Sequence, residues 1–255
     1  MVDRVINFSG GRTSAYMTKR LIDEFGSPKH FIITFQNTGK ESPETLDFIN
    51  ECDKRWNLNV VWIEYRPNNK FAIVNYETAS RNGEPYSYLI DHNKKFLPNL
   101  FARYCTDQLK IRTLNRYIKS EGIKNFVAYN GIRYDEPQRW AKAKNLPDYY
   151  DVEMPLIKWK VTKQDVLDWW SKQEFDLKIE EPLGNCDCCF LKGKNKLIEI
   201  YNQNPKAFDW WIEQEDKLNA RFKKDYSYRD IARIAKENPN LFDGDVSFDC
   251  FCNID

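Results

Sequence analysis

The chain has 255 residues with 39 basic and 38 acidic side chains, so its net charge of +1 creates no bulk field that would attract nucleic acid or an anionic membrane. Aromatic residues make up 15% of the chain, which excludes a disordered protein. The sequence contains no apolar run as long as a membrane span, and its first residues lead directly into a strand pattern. We therefore expect a cytoplasmic protein with no membrane partner.

In chain order, four runs rich in β-branched and aromatic residues predict strands at residues 5–8, 31–35, 60–65 and 125–130. Helical patterns separate these runs, and the first two helices are predicted over residues 13–25 and 43–56. This alternation predicts βαβ units and a parallel sheet. Sequences that resemble capping boxes after Thr162 and Ser227 predict two later helices. Beyond residue 183 the strand pattern fades, so we expect an α/β domain over residues 1–183 and a helical, cysteine-bearing region over residues 184–255.

The loop after the first strand predicts a phosphate pocket. Its glycines allow close backbone approach to an anion, and the following helix start adds N–H groups and partial positive charge. Three hydroxyls and a guanidinium complete the donors. The loop consists of Ser9, Gly10, Gly11, Arg12, Thr13 and Ser14. Taken alone, the same residues also describe an ordinary strand-to-helix turn.

Two further polar loops follow predicted strands and should meet the first at one edge of the sheet. Asn37, Thr38 and Gly39 begin the second loop and are expected to contact base or ribose. The third loop begins at Gly131 and contains Arg133 and Arg139, which are suited to phosphate or sulfate. The alternatives are a well-formed turn for the second loop and a solvated, salt-bridged loop for the third.

Seven cysteines with only two histidines indicate thiols, redox groups or a thiolate-rich metal site, and not a disulfide framework. Cys186 and Cys189 form a C-x-x-C pattern that also contains Cys188, and Cys105 precedes it. Zinc and iron–sulfur are equally compatible with such residues, and simple reduced thiols are a further alternative. Cys52, on an ordinary helical pattern, is expected to be structural.

Five ordered blocks resemble those of the phosphoadenylylsulfate (PAPS) reductase family, within the adenine nucleotide alpha-hydrolase-like PP-loop superfamily. The blocks are SGGRTS, NTGKESPET, residues 103–112, GIRYDEPQR and residues 155–166. This resemblance implies a Rossmann-like parallel sheet flanked by helices that binds PAPS, APS or ATP, with residues 9–14 at the phosphates. Lys110, in the third block, joins the residues expected to bind the nucleotide. Where ATP-cleaving relatives often have SGGKDS, this chain has Arg12 and Thr13, so a carboxylate that would support magnesium is missing.

The resemblance also implies a [4Fe-4S] cluster held by Cys105, Cys186 and Cys189, with Cys188, Cys250 or Cys252 as fourth ligand. Tyr104 replaces one member of the Cys-Cys pair found in iron–sulfur reductases of the family. The C-terminal reductase block E-C-G-x-H/L is absent, which leaves Cys250 and Cys252 as candidate catalytic thiols.

Three hypotheses for the function follow. The first is a PAPS-reductase-like enzyme that uses a thiol protein as electron or sulfur donor. The second is ATP-dependent sulfur insertion into tRNA or DNA. The third is a non-catalytic nucleotide-binding module in which the cysteines form a structural metal clip.

Overall fold

The computed structural model describes residues 3–93, 96–143, 149–179 and 186–237, and its centre is a six-stranded sheet. The spatial order is β4-β3-β2-β1-β5-β6, and all neighbouring strands are parallel except β4, which pairs antiparallel with β3. The strands are β1 (Asp3–Asn7), β2 (Ile32–Asn37), β3 (Val61–Arg66), β4 (Lys70–Val74), β5 (Phe126–Tyr129) and β6 (Asp151–Glu153). The predicted α/β class is confirmed.

Helices flank this sheet and build the C-terminal region. They are α1 (Arg12–Phe25), α2 (Pro43–Trp56), α3 (Glu84–Asn93), α4 (Arg112–Ser120), α5 (Pro137–Ala143), α6 (Pro155–Lys158), α7 (Lys163–Trp170), α8 (Lys194–Gln203), α9 (Asp209–Leu218) and α10 (Tyr228–Glu237). A π-helix over Thr106–Ile111 precedes α4. Within the described residues, no helix has both the length and the apolar character needed to cross a membrane.

The predicted helix starts at Thr162 and Ser227 are confirmed, because both make reciprocal capping bonds. The hydroxyl of Thr162 accepts from the Asp165 backbone N–H, and the Asp165 carboxylate accepts from the Thr162 N–H. Ser227 and Asp230 make the same exchange ahead of α10. Each cap satisfies donors that a helix start otherwise leaves unpaired.

The strand order changes direction at β1. From β1 the chain proceeds to β2 and β3 on one side, and β5 and β6 lie on the other. In open α/β sheets ligands bind at such a switch point, beyond the carboxyl ends of the strands. The loops that follow β1 and β5 lie at this place and contain the first and third predicted site loops.

One core cluster joins the sheet domain to the C-terminal helices. Tyr65, Tyr86 and Leu109 belong to it together with Trp211 and Tyr228, and all five are almost fully buried. The domain boundary predicted at residue 183 lies outside the described residues. On the other side of the sheet, α1, α2 and α7 cover a second cluster.

Candidate functional site

The first loop has a backbone that only glycine adopts without strain. Gly10 has φ of +82°, and a Cβ at this position would lie 2.6 Å from Cγ2 of Thr45 and 2.8 Å from Cδ1 of Ile49. Gly11 precedes α1, and no side chain caps the start of that helix. The Ser9 hydroxyl donates to the Ser14 hydroxyl over 3.0 Å. The loop thus combines hydroxyls with an uncapped helix start, which is a favourable place for an anion.

Arg12, predicted to contact phosphate, is engaged by a carboxylate in this structure. Its Nε and Nη2 donate to the two carboxylate oxygens of Asp176 over 2.7 and 2.8 Å, and Nη2 also donates to the Leu177 carbonyl over 2.6 Å. The indole of Trp170 donates to the Arg12 carbonyl over 2.9 Å. These contacts anchor the first loop to the segment after α7, and phosphate binding by Arg12 would require the Asp176 pair to open.

The third loop lies directly against the first. A Cβ on Gly131 would be 3.1 Å from Cα of Ser14, so the absence of a side chain permits this close approach. Nη1 of Arg133 donates to the Thr13 hydroxyl over 3.3 Å. Beneath them, the amide of Asn7 donates to Oδ1 of Asn130 over 2.5 Å. The structure therefore brings the two predicted phosphate loops together.

The two arginines of the third loop differ in their partners. Arg133 pairs with Asp135 over 2.9 Å and also lies near Glu136, as in a salt-bridged loop. Arg139 is buried and donates from Nη1 to Glu136 over 2.5 Å. Its Nε and Nη2 are buried without a hydrogen-bond partner in the described part of the chain. Unpaired buried donors are costly, so Arg139 is the arginine of this loop better suited to an anion.

The second loop is fixed by internal hydrogen bonds. The Asn37 amide donates to Oε1 of Glu64 over 2.7 Å and to the Ser80 carbonyl over 2.9 Å, while its oxygen accepts from Gly39 N–H over 3.1 Å. The Thr38 hydroxyl donates to Glu41 and lies 3.6 Å from Sγ of Cys186. Contact of Asn37, Thr38 and Gly39 with base or ribose stays a prediction.

The cysteine loop that starts at Cys186 is attached to the second loop. Asp187 N–H donates to the Lys40 carbonyl over 2.7 Å, and the Lys40 ammonium pairs with the Asp187 carboxylate over 2.8 Å. Cys186 also forms an isolated antiparallel bridge with Glu41. Sequence reasoning missed Lys40 and Asp187, because neither lies in a motif that predicts their pairing.

A tandem tryptophan pair supports this attachment. Trp211 donates from its indole to the Asp187 carboxylate over 2.8 Å, and the Trp210 ring lies 5.3 Å from the Lys40 ammonium. Trp211 is fully buried and Trp210 nearly so, and both belong to the core. They also orient the ion pair that joins the two loops.

Three of the predicted metal ligands lie close to one another. Burial raises the pKa of the Cys105 thiol; a hydrogen bond with the Tyr86 hydroxyl opposes that rise, and negative charge on Cys189 adds to it. Burial, then the charges of Glu41 and Cys189, raise the pKa of Cys186. The charges of Cys105, Cys186 and Cys189 also act on the buried hydroxyl of Tyr86.

Cys188 has different surroundings from the other three cysteines. It is fully buried, and its carbonyl accepts a hydrogen bond from the Tyr228 hydroxyl. The charge of Cys188 is the largest one that raises the pKa of Tyr228 after burial. Cys188 therefore faces the core between the C-terminal helices.

Lysines lie around the cysteines. Lys110 lies on the π-helix that follows Cys105, and its positive charge opposes the raised pKa values of Glu41 and Cys186. Lys192 is fully buried; burial lowers its pKa, and negative charge on Cys189 and Cys186 opposes that shift. Buried cations stabilise thiolates, and irregular π-turns are frequent at functional sites.

Thiols are donors of the type that zinc and iron–sulfur clusters take. Three thiols lie near two lysines and the buried hydroxyl of Tyr86. Within residues 3–93, 96–143, 149–179 and 186–237, however, no three His, Cys, Asp or Glu side chains form an arrangement that could hold a metal ion. Cys250 and Cys252 lie outside the described residues, as does any contact they make.

A mostly parallel sheet, with a loop of glycines and hydroxyls at its switch point, defines a Rossmann-like α/β protein. The chain belongs to the phosphoadenosine phosphosulfate reductase domain family, whose profile matches residues 3–178. The resemblance expected from the five sequence blocks is thereby confirmed. Membership places the chain among nucleotide-binding enzymes of sulfur chemistry.

Individual relatives and one solved structure show further similarity. The chain is 32% identical over 201 residues to the uncharacterized nin region protein ORF290 of Escherichia phage lambda, covering 76% of this chain and 67% of that protein. It is 21% identical over 223 residues to the uncharacterized protein MJ0973 of Methanocaldococcus jannaschii, covering 81% of this chain and 46% of that protein. The structure of the U34-tRNA thiolase NcsA from Methanococcus maripaludis with its [4Fe-4S] cluster is 16% identical, with a TM-score of 0.48. That similarity covers 94% of this chain and 73% of the thiolase.

Proposed function

We propose that the protein is a PAPS-reductase-like enzyme that binds PAPS, APS or ATP where the first and third loops meet. The observation that carries this proposal is the approach of Gly131 to Ser14, too close to leave room for a side chain without adjustment, supported by the hydrogen bond from Arg133 to Thr13. The phosphates lie at the start of α1 beside the Ser9 and Ser14 hydroxyls. Membership of the family supports the same ligand class.

The unpaired nitrogens of Arg139 are suited to the sulfate or a phosphate of that ligand. In the reductase reaction, the thiolate of Cys250 or Cys252 attacks the sulfate sulfur, and the bond from sulfur to the bridging oxygen of the nucleotide breaks. The nucleotide leaves with the electron pair, and sulfite stays bound to the cysteine as a thiosulfonate. A thiol of the donor protein then attacks that cysteine, which releases sulfite and forms a disulfide.

We propose further that Cys105, Cys186 and Cys189 hold a metal centre, [4Fe-4S] or zinc. A [4Fe-4S] cluster would supply redox capacity, whereas zinc would make the cysteine loop more rigid. Cys188, Cys250 or Cys252 would supply the fourth ligand. Lys110 opposes the burial that raises the pKa of Cys186, and Lys192 lies beside Cys189 and Cys186, so both lysines could offset the charge of metal-bound thiolates.

A matched pair of glycines tests the phosphate site. Gly11 and Gly193 each precede a helix without a side-chain cap, and a Cβ at either position would have no atom within 4 Å. Replacing either with alanine should therefore cost about 1 kcal/mol in stability, the same in both variants. Gly11→Ala places a methyl group beside the proposed phosphates, so its adenylate affinity in calorimetry should fall by about tenfold or more. Equal affinities in Gly11→Ala and Gly193→Ala would contradict the assignment.

The reaction is tested with protein purified without oxygen and reconstituted with iron and sulfide. With a thiol reductant and radiolabelled PAPS, the proposal predicts sulfite release, and absence of turnover would refute the reductase reaction. Release of AMP or pyrophosphate that is stimulated by tRNA or DNA would instead indicate sulfur insertion. Tight adenylate binding without turnover of any adenylate would indicate a non-catalytic module.

A further inference from the structure

Glu64 is a carboxylate inside the sheet whose two oxygens both have hydrogen-bond partners. It lies in β3 and is fully buried. Oε1 accepts from the Asn37 amide and from the Ser80 backbone N–H, each over 2.7 Å. Oε2 accepts from the Ser80 hydroxyl over 2.9 Å and from Nη2 of Arg66 over 3.0 Å. A carboxylate is costly to bury, and these donors offset that cost.

The partners of Glu64 make the second loop and residues 75–83 one hydrogen-bonded unit. The Asn37 amide donates to Glu64 and also to the Ser80 carbonyl, the latter over 2.9 Å. The Asn37 oxygen accepts from the Gly39 N–H over 3.1 Å. The Gly83 N–H donates to the Gly39 carbonyl over 2.8 Å. Glu64 therefore joins, through Asn37 and Ser80, the two segments whose contact fixes the position of the second loop.

The hydrogen bonds of the second loop serve its own shape. Both amide hydrogens of Asn37 are engaged, so this side chain maintains the loop instead of offering donors to a ligand. The Thr38 N–H and hydroxyl both donate to Glu41. Contact of this loop with base or ribose then depends on the conformation of its backbone. A binding loop that is held in shape before the ligand arrives loses less entropy on binding.

We propose that Glu64 is a positioning residue of the adenylate site, which holds the second loop in the conformation that contacts the adenosine half of the ligand. The inference rests on the proposed nucleotide site. Glu64 acts through Asn37 and Ser80 and does not touch the ligand. Its four hydrogen bonds go to β3, to the second loop and to residues 75–83. Loss of Glu64 should therefore weaken the binding of adenosine and leave the phosphates bound as before.

The substitution Glu64→Gln tests this role, because it keeps the size of the side chain and replaces one acceptor oxygen with an NH₂ group that faces donors. Two ligands separate the halves of the site in calorimetry. ADP contains adenosine and two phosphates, whereas inorganic pyrophosphate contains the phosphates alone. Glu64→Gln should bind ADP about tenfold more weakly than the wild type does and pyrophosphate equally well. A general loss of stability would not change the ratio of these two affinities.

Glu215→Gln is the matched control. Glu215 is a buried carboxylate of α9, and its oxygens accept from the backbone N–H groups of Phe222 and Tyr228 over 3.1 and 2.8 Å. Its variant also loses a buried acceptor, but among the C-terminal helices, and should bind ADP as the wild type does. Should Glu64→Gln not fold, Ser80→Ala replaces it, because that variant removes only the hydroxyl that donates to Oε2. Its affinity for ADP should fall about threefold, with pyrophosphate binding unchanged.

The outcomes separate the inference from the proposal beneath it. If the wild type does not bind ADP, the proposed nucleotide site is refuted, and the role of Glu64 is refuted with it. If the wild type binds both ligands and Glu64→Gln, or Ser80→Ala in its place, has the same affinities, the role of Glu64 is refuted and the site stands. Equal losses of ADP and pyrophosphate affinity would also overturn the inference. So would the same loss of ADP affinity in Glu215→Gln, because it would show a general effect of destabilisation.

Discussion

Replacement of Gly10 by alanine should destabilise the protein through two separable effects. The backbone has φ of +82°, and the added Cβ would lie 2.6 Å from Cγ2 of Thr45 and 2.8 Å from Cδ1 of Ile49. Gly26, at the end of α1, offers a matched control, because it has φ of +77° and its Cβ would have no atom within 4 Å. Alanine at Gly26 therefore shares the backbone strain of alanine at Gly10 without the clash.

The geometry fixes the expected size of each effect. A left-handed backbone costs an alanine about 1 kcal/mol. Forcing an extra methyl group into a packed core costs a further ~1–3 kcal/mol. Gly26→Ala should thus lower the free energy of unfolding by about 1 kcal/mol, and Gly10→Ala by about 2–4 kcal/mol. Both variants should still fold, because a domain of this kind is stable by about 5–15 kcal/mol.

Urea unfolding measures the difference between the two variants, and the eight tryptophans provide the fluorescence signal. The midpoint of Gly10→Ala should lie clearly below that of Gly26→Ala, with the slope of the transition unchanged. Equal midpoints would refute the reasoning, since they would show that α2 yields to the methyl group at little cost. Adenylate affinity should fall in Gly10→Ala alone, because only that glycine lies in the phosphate loop.

Two further predictions concern buried or paired carboxylates. Asp176→Asn should lower the free energy of unfolding by about 1 kcal/mol, because its ion pair with Arg12 is partly exposed. The same variant should bind an adenylate more tightly in calorimetry, because the Arg12 guanidinium is released. Weaker binding would contradict this and show that the ion pair holds the loop in place. Burial raises the pKa of the Glu41 carboxyl, so the folded state binds a proton at this group more tightly than the unfolded state does. The free energy of unfolding therefore falls as the pH rises from the ordinary glutamate pKa through the raised pKa. The urea midpoint of Glu41→Gln should not show this fall with pH. Plots of urea midpoint against pH that run parallel for the variant and the wild type would contradict the prediction.

The sheet was largely predictable, because its central strands are apolar and separated by helical patterns. The predicted runs overlap β1, β2, β3 and β5. The hairpin strand β4 was missed, although Asn68 and Asn69 both have φ of 58° in the turn before it. A two-residue hairpin turn of this type needs a positive φ at both central residues, and asparagine adopts a positive φ more readily than most residues. With three residues, β6 is too short to produce a periodic pattern.

The site was predictable as a set of residues but not as a set of partners. Motifs identified the glycines and hydroxyls, because backbone conformation and donor chemistry are local properties. The partner of Arg12 is Asp176, more than 160 positions away, and no local pattern marks that aspartate. The pairing of Lys40 with Asp187 depends in the same way on how the C-terminal helices pack. Packing likewise determines which thiols share surroundings, and it gives Cys188 different surroundings from its neighbours.

The core cluster that joins the sheet domain to the C-terminal helices determines how this protein can be truncated. A fragment that ends at residue 178, where the family match ends, would keep every strand of the sheet. It would nevertheless expose Tyr65, Tyr86 and Leu109 to water, because the C-terminal helices cover them. The Lys40 ammonium would lose its carboxylate at the same time. The sheet domain should therefore be expressed together with residues 186–237 in one polypeptide.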